Sequence, residues 1–293
     1  MDDQRVEIAL VRLGHVASWA QLRAVVPRPD IRRAVANGQI ERVGWGRYAT
    51  AHVTEGRRVA HRHTAVVSHL SAALAHGWKV HTKPTRTVVT VPRNRKVSSA
   101  LRKECQVHWA PLSTDEVTDG LTVPLRTVVD CARTLPFTEA LCVADQALRC
   151  GQVTSADLAA AATALRGKGA ANLREVADAA DGRSFNPLES TLRAIALRVP
   201  GLSLVPQFTI REPGFRVDVD LADPVLRLAI EAEGYEHHGT REGLRSDCRR
   251  ATMYAVHGWT QVRYAYEHVM FEAAFVEDTL TRTMEVLRPR AGS

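Results

Sequence analysis

No uninterrupted apolar run in this chain approaches the roughly 18 residues that a membrane-spanning helix needs. No Cys-x-x-Cys pair occurs among its five cysteines, Cys105, Cys131, Cys142, Cys150 and Cys248. Their odd number and wide spacing argue against both a disulfide framework and a zinc knuckle. The start, Met1-Asp2-Asp3-Gln4, is acidic and leads straight into a helical pattern, so no secretory signal is expected. These absences predict a cytoplasmic protein without a membrane partner. What remains is ordinary globular material: 293 residues, 45% apolar and 24% charged, enough for two domains or three small ones.

Charge is unevenly spread. Residues 1–110 hold 19 Lys/Arg against 7 Asp/Glu, a balance of +12, while residues 111–293 hold 20 against 25, or −5. A basic front half suits a polyanion binder, although a solvated Arg-rich surface has the same composition.

Periodicity predicts three short helices in the first 50 residues, over 4–14, 19–25 and 31–36. Ser18 and Asp30 serve as N-caps, and Asn37-Gly38 ends the third helix. Two strand-like pieces, 40–43 and 47–49, follow, joined by Gly44-Trp45-Gly46. This progression makes a winged helix-turn-helix, expected over residues 1–55. In such a fold the third helix enters the major groove and the wing lies on the backbone. Arg28, Arg32 and Arg33 sit on or beside that helix, and Arg42 and Arg47 flank the wing. Guanidinium groups suit both phosphates and guanine edges, so these five are the candidate DNA-binding residues. The pattern of residues 7–48, with its Asn-Gly, Ile-Glu-Arg-Val and Gly-Arg-Tyr stations, resembles the N-terminal domain of AbiEi-type antitoxins. The resemblance implies sequence-specific DNA binding and autoregulation.

Residues 56–183 form an expected α/β middle domain. Helices are predicted over 64–75, 123–132, 139–149 and 155–165, with strands over 85–91 and 106–109. Ser68-His69-Leu70-Ser71-Ala72-Ala73 resembles a helix of AbiEi-like proteins. His61, His63, His69, His76, His81 and His108 lack the fixed spacing that metal ligation favours. Gly167-Lys168-Gly169 and Asp181-Gly182-Arg183-Ser184 mark joints, the second opening the last domain, 184–293.

That last domain carries the chemistry. An amphipathic helix over 187–199 bears Glu189 in its first turn, where the helix dipole alone would explain an acid. In 215–221, Phe215, Val217, Val219 and Leu221 share one face, and Arg216, Asp218 and Asp220 the other. In 226–233, Glu231 and Glu233 share a face with Arg227. If the two strands are antiparallel neighbours, Asp218 or Asp220 lies opposite Glu231. Like charges so placed need a cation or a proton between them. A hard divalent ion with oxygen ligands resolves the conflict; a half-exposed face whose acids pair with Arg216 and Arg227 also would.

The order Leu188-Glu189-Ser190, Arg216-Val217-Asp218, Ile230-Glu231-Ala232-Glu233-Gly234-Tyr235-Glu236-His237-His238, Asp247-x-x-Arg250, Gly258-Trp259-x-x-Val262-Arg263 resembles endonucleases related to very-short-patch-repair enzymes. These belong to the PD-(D/E)XK superfamily. Covering about residues 186–290, the resemblance implies an αβββαβ core and a Mg²⁺ or Mn²⁺ cofactor. It implies Asp218 and Glu231 as metal ligands, Glu189 as a supporting helical acid and His238 as a histidine beside the metal, with His237 a weaker match. Glu233 stands where the superfamily has lysine, which removes the usual cation near the attacking water. Arg245, Arg249, Arg250 and Arg263 are candidates to neutralise phosphate charge, and Asp247 with Arg250 suits an i,i+3 pair.

The fold expected is therefore multi-domain α/β: a winged helix, an α/β middle section and a nuclease-like core. The function expected is metal-dependent DNA endonuclease activity targeted by the winged helix. The alternative is a non-catalytic DNA-binding regulator or type IV antitoxin with an inactive nuclease fold. DNA is the partner in both readings. A second copy of the chain and, on the antitoxin reading, a cognate toxin are the protein partners to consider.

Overall fold

The computed structural model of the chain describes residues 4–234 and 241–291. The protein is mixed α/β and divides into two compact units, Met1–Trp78 with Thr82–Cys131, and Lys79–His81 with Ala132–Ser293. Among the described residues no helix is long and apolar enough to cross a membrane.

The first unit opens with α1 (Gln4–Arg12), β1 (Val16–Ser18), α2 (Trp19–Arg23), α3 (Arg28–Ala36), β2 (Ile40–Gly44) and β3 (Arg47–Thr50). Ser18 caps α2 through a capping box with Gln21, which satisfies two backbone amides at once. Asp30 is not a cap: α3 begins earlier, with Pro27 at the N-cap and Pro29 in the first turn, where a missing N–H costs nothing. The strands form a sheet in the order β1-β3-β2. Val6, Leu10, Leu22, Ile31 and Tyr48 fill the space between it and the helices.

The chain continues with α4 (Glu55–Arg62), β4 (Val66–Val67), α5 (His69–Ala75), β5 (Thr87–Val91), α6 (Ser99–Glu104), β6 (Cys105–Trp109), β7 (Val117–Thr118), β8 (Leu121–Thr122) and α7 (Pro124–Thr134). Its five strands make a second sheet, β6-β5-β4-β8-β7. The expected helix over 64–75 is shorter: Thr64 takes a positive φ of 55°, a strand follows, and the helix begins only at His69. Helix α4 ties the two sheets together. Arg58 donates to the Ala51 carbonyl and pairs with Glu41, Arg62 donates to Val43 O, and His61 donates to Ala17 O. Residues 4–55 and the segment after them are thus joined by part-buried and surface polar contacts within one unit.

The second unit holds α8 (Phe137–Arg149), α9 (Ser155–Ala164), α10 (Ala170–Ala179), α11 (Pro187–Ala196), β9 (Val205–Glu212), β10 (Phe215–Asp223), β11 (Leu228–Glu233), α12 (Arg241–Val256), β12 (Thr260–Ala265), α13 (Tyr266–Phe271) and α14 (Ala273–Ala291). The sheet runs β12-β11-β10-β9, with β11 and β12 parallel and the other pairs antiparallel. Leu228, Ala229 and Ile230 are all fully buried, because both faces of β11 are covered. Leu228 and Ile230 meet Leu192, Ile195, Val276 and Leu280 on one side, while Ala229 meets Tyr254 and Trp259 on the other. The joint expected at residues 181–184 lies inside this unit. There Asp145 of α8, α11's Ser190 and Arg193, and the Asp181 amide form one buried network. The C-terminal helical stretch is broken at Glu272 into α13 and α14.

Candidate functional site

The hairpin joining β10 to β11 sets the site. Asp223 is buried and its Oδ1 accepts the Val225 and Leu226 amides, closing the turn. The ladder then pairs Asp223 with Leu228, Ala222 with Ala229 and Leu221 with Ile230. The next step brings Asp220, not Asp218, beside Glu231. There the ladder parts: Asp220 Oδ2 takes the Ala232 amide at 2.8 Å in place of a backbone carbonyl.

Simple alternation also fails at this point. Val219 packs with Tyr254 and Trp259, yet Leu221 packs with Leu192 and Ile230 on the opposite face. Across the sheet from Asp220, between the pairs Val219–Phe208 and Leu221–Pro206, stands Gln207 with a left-handed φ of 50°. This irregularity turns Gln207 toward α11, where its amide donates to Glu189 Oε2 at 3.0 Å. Asp218 stays on the regular part of the strand. It is exposed and accepts a hydrogen bond from Thr209 Oγ1 at 2.5 Å. Of the two aspartates that alternation left open, Asp220 lies beside Glu231, and Asp218, the one that the resemblance implied as its partner, does not.

Glu189 is buried at the start of α11, held by the Phe185 amide at 2.7 Å and Asn186 Nδ2 at 2.7 Å. Burial pushes its carboxyl up to about 7, and the charge of Asp220 adds to that, while the hydrogen bonds from Phe185 and Gln207 oppose it. Burial likewise raises the Asp220 carboxyl, partly offset by the Ala232 amide and reinforced by Glu231 and Glu233. A carboxyl raised above its ordinary value binds its proton more tightly folded than unfolded. Its stabilising contribution is therefore complete below the ordinary value and is lost as pH climbs to the folded value. For Glu189 the window runs from 4.5 to about 7, and the loss is about 3 kcal/mol at most. Thermal melts in chelator should show the protein losing stability from pH 5 to pH 8, with Glu189→Gln flattening the slope. A slope unchanged in that variant would show that Glu189 does not titrate there.

Glu231 is the best-furnished acid. Its Oε2 accepts from Arg250 Nη2 at 2.6 Å, and its Oε1 from Tyr254 OH at 2.7 Å and Gln261 Nε2 at 3.1 Å. Burial works against the Arg250 cation, but Glu231, Tyr254 and Glu233 together outweigh it and raise the Arg250 pKa. Glu233 pairs with Arg263 at 2.6 Å. Arg263 also reaches Asp247 at 3.6 Å, so Asp247 contacts Arg263 and Arg250 goes to Glu231, in place of the expected i,i+3 pair. Arg227 pairs with Glu212 rather than with the acid cluster. Arg245 and Arg249 are exposed on α12. His237 and His238 lie outside the described residues. Sequence reading missed Gln207, Tyr254 and Gln261, the donors that hold the acids.

Beside these groups opens a cavity of about 700 Å³ whose lining includes Glu233, Asp247, Arg263, Tyr266 and Glu267. Three acids against one arginine disfavour a phosphodiester unless another cation joins them. Among the described residues no three Asp, Glu, His or Cys side chains converge on one point. Asp220 and Glu231 are oxygen donors of the kind Mg²⁺ or Mn²⁺ takes, one or two at a time with waters and substrate oxygens, and both Glu231 oxygens and Asp220 Oδ2 already accept hydrogen bonds.

In the first unit, Arg28, Arg32 and Arg42 line one cavity of about 530 Å³ together with Trp19, Trp45 and Tyr48. The other two arginines point elsewhere: Arg33 lies 3.5 Å from Asp30, and Arg47 donates to Thr64 Oγ1 at 3.3 Å. Three of the five candidate DNA-binding residues are thus brought together. The middle-section histidines are engaged in structure. His76 donates to Thr122 O at 2.8 Å, and His69 stacks on His108 with ring centres 3.9 Å apart.

No family model matches the chain. Over 174 residues it is 33% identical to the uncharacterized protein Rv2248 of Mycobacterium tuberculosis strain ATCC 25618 / H37Rv. The same figures hold for the uncharacterized protein MT2308 of strain CDC 1551 / Oshkosh. The match covers 57% of this chain and 62% of each relative, so it spans less than two thirds of their length. Among solved structures, the crystal structure of the RV2827C protein from Mycobacterium tuberculosis is similar over 72% of this chain and 89% of that one, at 15% identity and a TM-score of 0.33.

Proposed function

We propose that the protein is a metal-dependent nuclease of PD-(D/E)XK type, directed to DNA by an N-terminal winged helix. The observation that carries the reading is the placement of Asp220 beside Glu231 where β10 and β11 part, with Glu189 alongside. The order helix, three strands, helix, strand from α11 to β12 supports it, as do the three helices and three-stranded sheet of residues 4–50.

Asp220 and Glu231 would hold the Mg²⁺ or Mn²⁺. Such an ion supplies Lewis acidity and a water acidic enough to be a nucleophile near neutral pH. Glu189, titrating near 7, can take or return a proton at a carboxylate oxygen under working conditions. Arg263, held by Glu233, places a cation where lysine is absent and can face a phosphate oxygen. Tyr254 and Gln261 keep the Glu231 carboxylate in one orientation.

The test is cleavage of supercoiled, mismatched and single-stranded DNA with Mg²⁺ and Mn²⁺, comparing wild type with Asp220→Asn and Asp218→Asn. Activity should disappear in the first variant and survive in the second. Equal activity in all three proteins would overturn the reading.

A second reading, a non-catalytic DNA-binding regulator, draws on the Arg250–Glu231 pair. That guanidinium, with Tyr254 and Gln261, already satisfies both oxygens of Glu231. Calorimetry finding no Mg²⁺ or Mn²⁺ binding, together with tight duplex binding, would favour it. Both readings require the basic face to hold DNA. Arg32→Ala should weaken binding to every sequence and reduce the slope of log affinity against log salt by about 1. An unchanged slope would remove Arg32 from the interface.

A further inference from the structure

The β2–β3 hairpin carries a tryptophan with no folding role. Trp45 is 91% exposed at the hairpin tip, between Gly44 and Gly46, whose φ of 61° makes the tight turn. An exposed indole contributes nothing to the core formed by Leu10, Leu22, Ile31 and Tyr48. It is not loose, however. Arg42 holds its guanidinium 5.3 Å from the Trp45 ring centre and donates to Gly44 O, so the ring is backed by a cation.

Behind it lies the 530 Å³ cavity, with Trp19 and Tyr48 as aromatic walls and Arg28 and Arg32 along the α3 side. The three arginines are not in ion pairs among the described residues, and the lining holds no carboxylate. The cavity therefore offers flat apolar surface for a ring and unneutralised cations for phosphate, within reach of one another.

On this geometry we propose that the Trp45 hairpin and the cavity behind it form a stacking site for an unpaired nucleobase of DNA. The flanking phosphates would be held by Arg28, Arg32 and Arg42. Inserting an indole into an intact duplex must first break base stacking, whereas an unpaired base at an overhang or mismatch presents a free face. The inference rests on the DNA-binding reading above and deepens it: the preferred substrate is a duplex with a discontinuity.

The full-length protein is titrated, by fluorescence anisotropy, onto three labelled DNAs of one sequence. These are a fully paired duplex whose ends are closed by non-nucleotide linkers, the same duplex with one end opened to a short single-stranded overhang, and the closed duplex with one mismatch. Wild type should bind the second and third more tightly than the first. Trp45→Ala should lose roughly 10-fold on those two and stay unchanged on the closed duplex, with an unaltered salt slope; Trp45→Phe should keep most of the affinity. Arg42→Ala should weaken all three and lower the salt slope by about 1. Equal effects of Trp45→Ala on all three DNAs, or no effect on any, would overturn the stacking site while leaving DNA binding in place. Binding of wild type to none of them would overturn the DNA-binding reading itself.

Discussion

Asp220→Asn is expected, on the proposed nuclease reading, to lower DNA cleavage at least about 100-fold, because it would remove a ligand of a Lewis acid worth several kcal/mol to the transition state, and yet to make the protein harder to melt. Both effects come from one geometry. Asp220 is held against Glu231 by the hairpin register and accepts the Ala232 amide, a bond an asparagine carbonyl can also accept. Burial and the charges of Glu231 and Glu233 oppose ionisation of the aspartate. The neutral amide escapes that opposition. In chelator at pH 8 the variant should melt about 2–4 °C higher, which corresponds to roughly 1 kcal/mol in a unit of this size. Because the Asp220 carboxyl is raised, wild-type stability falls as pH climbs above the ordinary value of 3.8. The advantage of the variant should therefore vanish toward pH 4. Calorimetry at both pH values, with cleavage assays on the same preparations, checks the pair. A variant that cleaves normally, or melts lower at pH 8, would contradict the placement of Asp220.

The largest loss of stability is expected for Asp145→Ala. Asp145 accepts Arg193 Nη2 at 2.6 Å on each oxygen, Ser190 Oγ at 2.7 Å and the Asp181 amide at 2.8 Å. Their side chains are 0% and 4% exposed. Removing the aspartate leaves a guanidinium buried without its counter-ion, at a cost of about 3–5 kcal/mol. Arg193→Met should cost less, because the stranded Asp145 can be neutralised by a proton and keeps the Ser190 and Asp181 donors. The double variant Asp145→Leu/Arg193→Met should recover much of the loss, since two apolar side chains replace two buried charges. Urea denaturation of the three proteins measures this. A penalty below about 1 kcal/mol for Asp145→Ala would show that the pair is not desolvated as described.

Much of the architecture can be read from local pattern. The order of elements from α11 to β12 follows from apolar periodicity and from punctuation at Asn186-Pro187 and Pro200-Gly201. Register was harder. Alternation puts Asp218 and Asp220 on one face and cannot choose between them; the choice is made by the turn. Asp223-Pro224 is a strong turn signal, and taking Asp223 as the first residue of that turn, its carboxylate on the Val225 and Leu226 amides, brings Asp220 opposite Glu231. Nothing local marks the break in alternation at Asp220, because it depends on Gln207 in the neighbouring strand adopting a left-handed backbone. The partners of Asp145 were hidden for the same reason: Arg193 lies 48 residues away in sequence. The short helices α4, α6 and α10 escaped because each is brief and its apolar face is fixed by tertiary packing more than by its own composition.

Helix α11 is buried on every side, from Glu189 to Ala196. Its Glu189 end serves the acid cluster, while its Ser190 and Arg193 are fastened to α8. In genetic terms, the four-stranded sheet with its acids is not a cassette that begins at residue 184. A recombination event cutting there would inherit the acids without the aspartate that seats their helix. The smallest heritable piece starts before Phe137, and α8 to α10 travel with the site as part of its foundation.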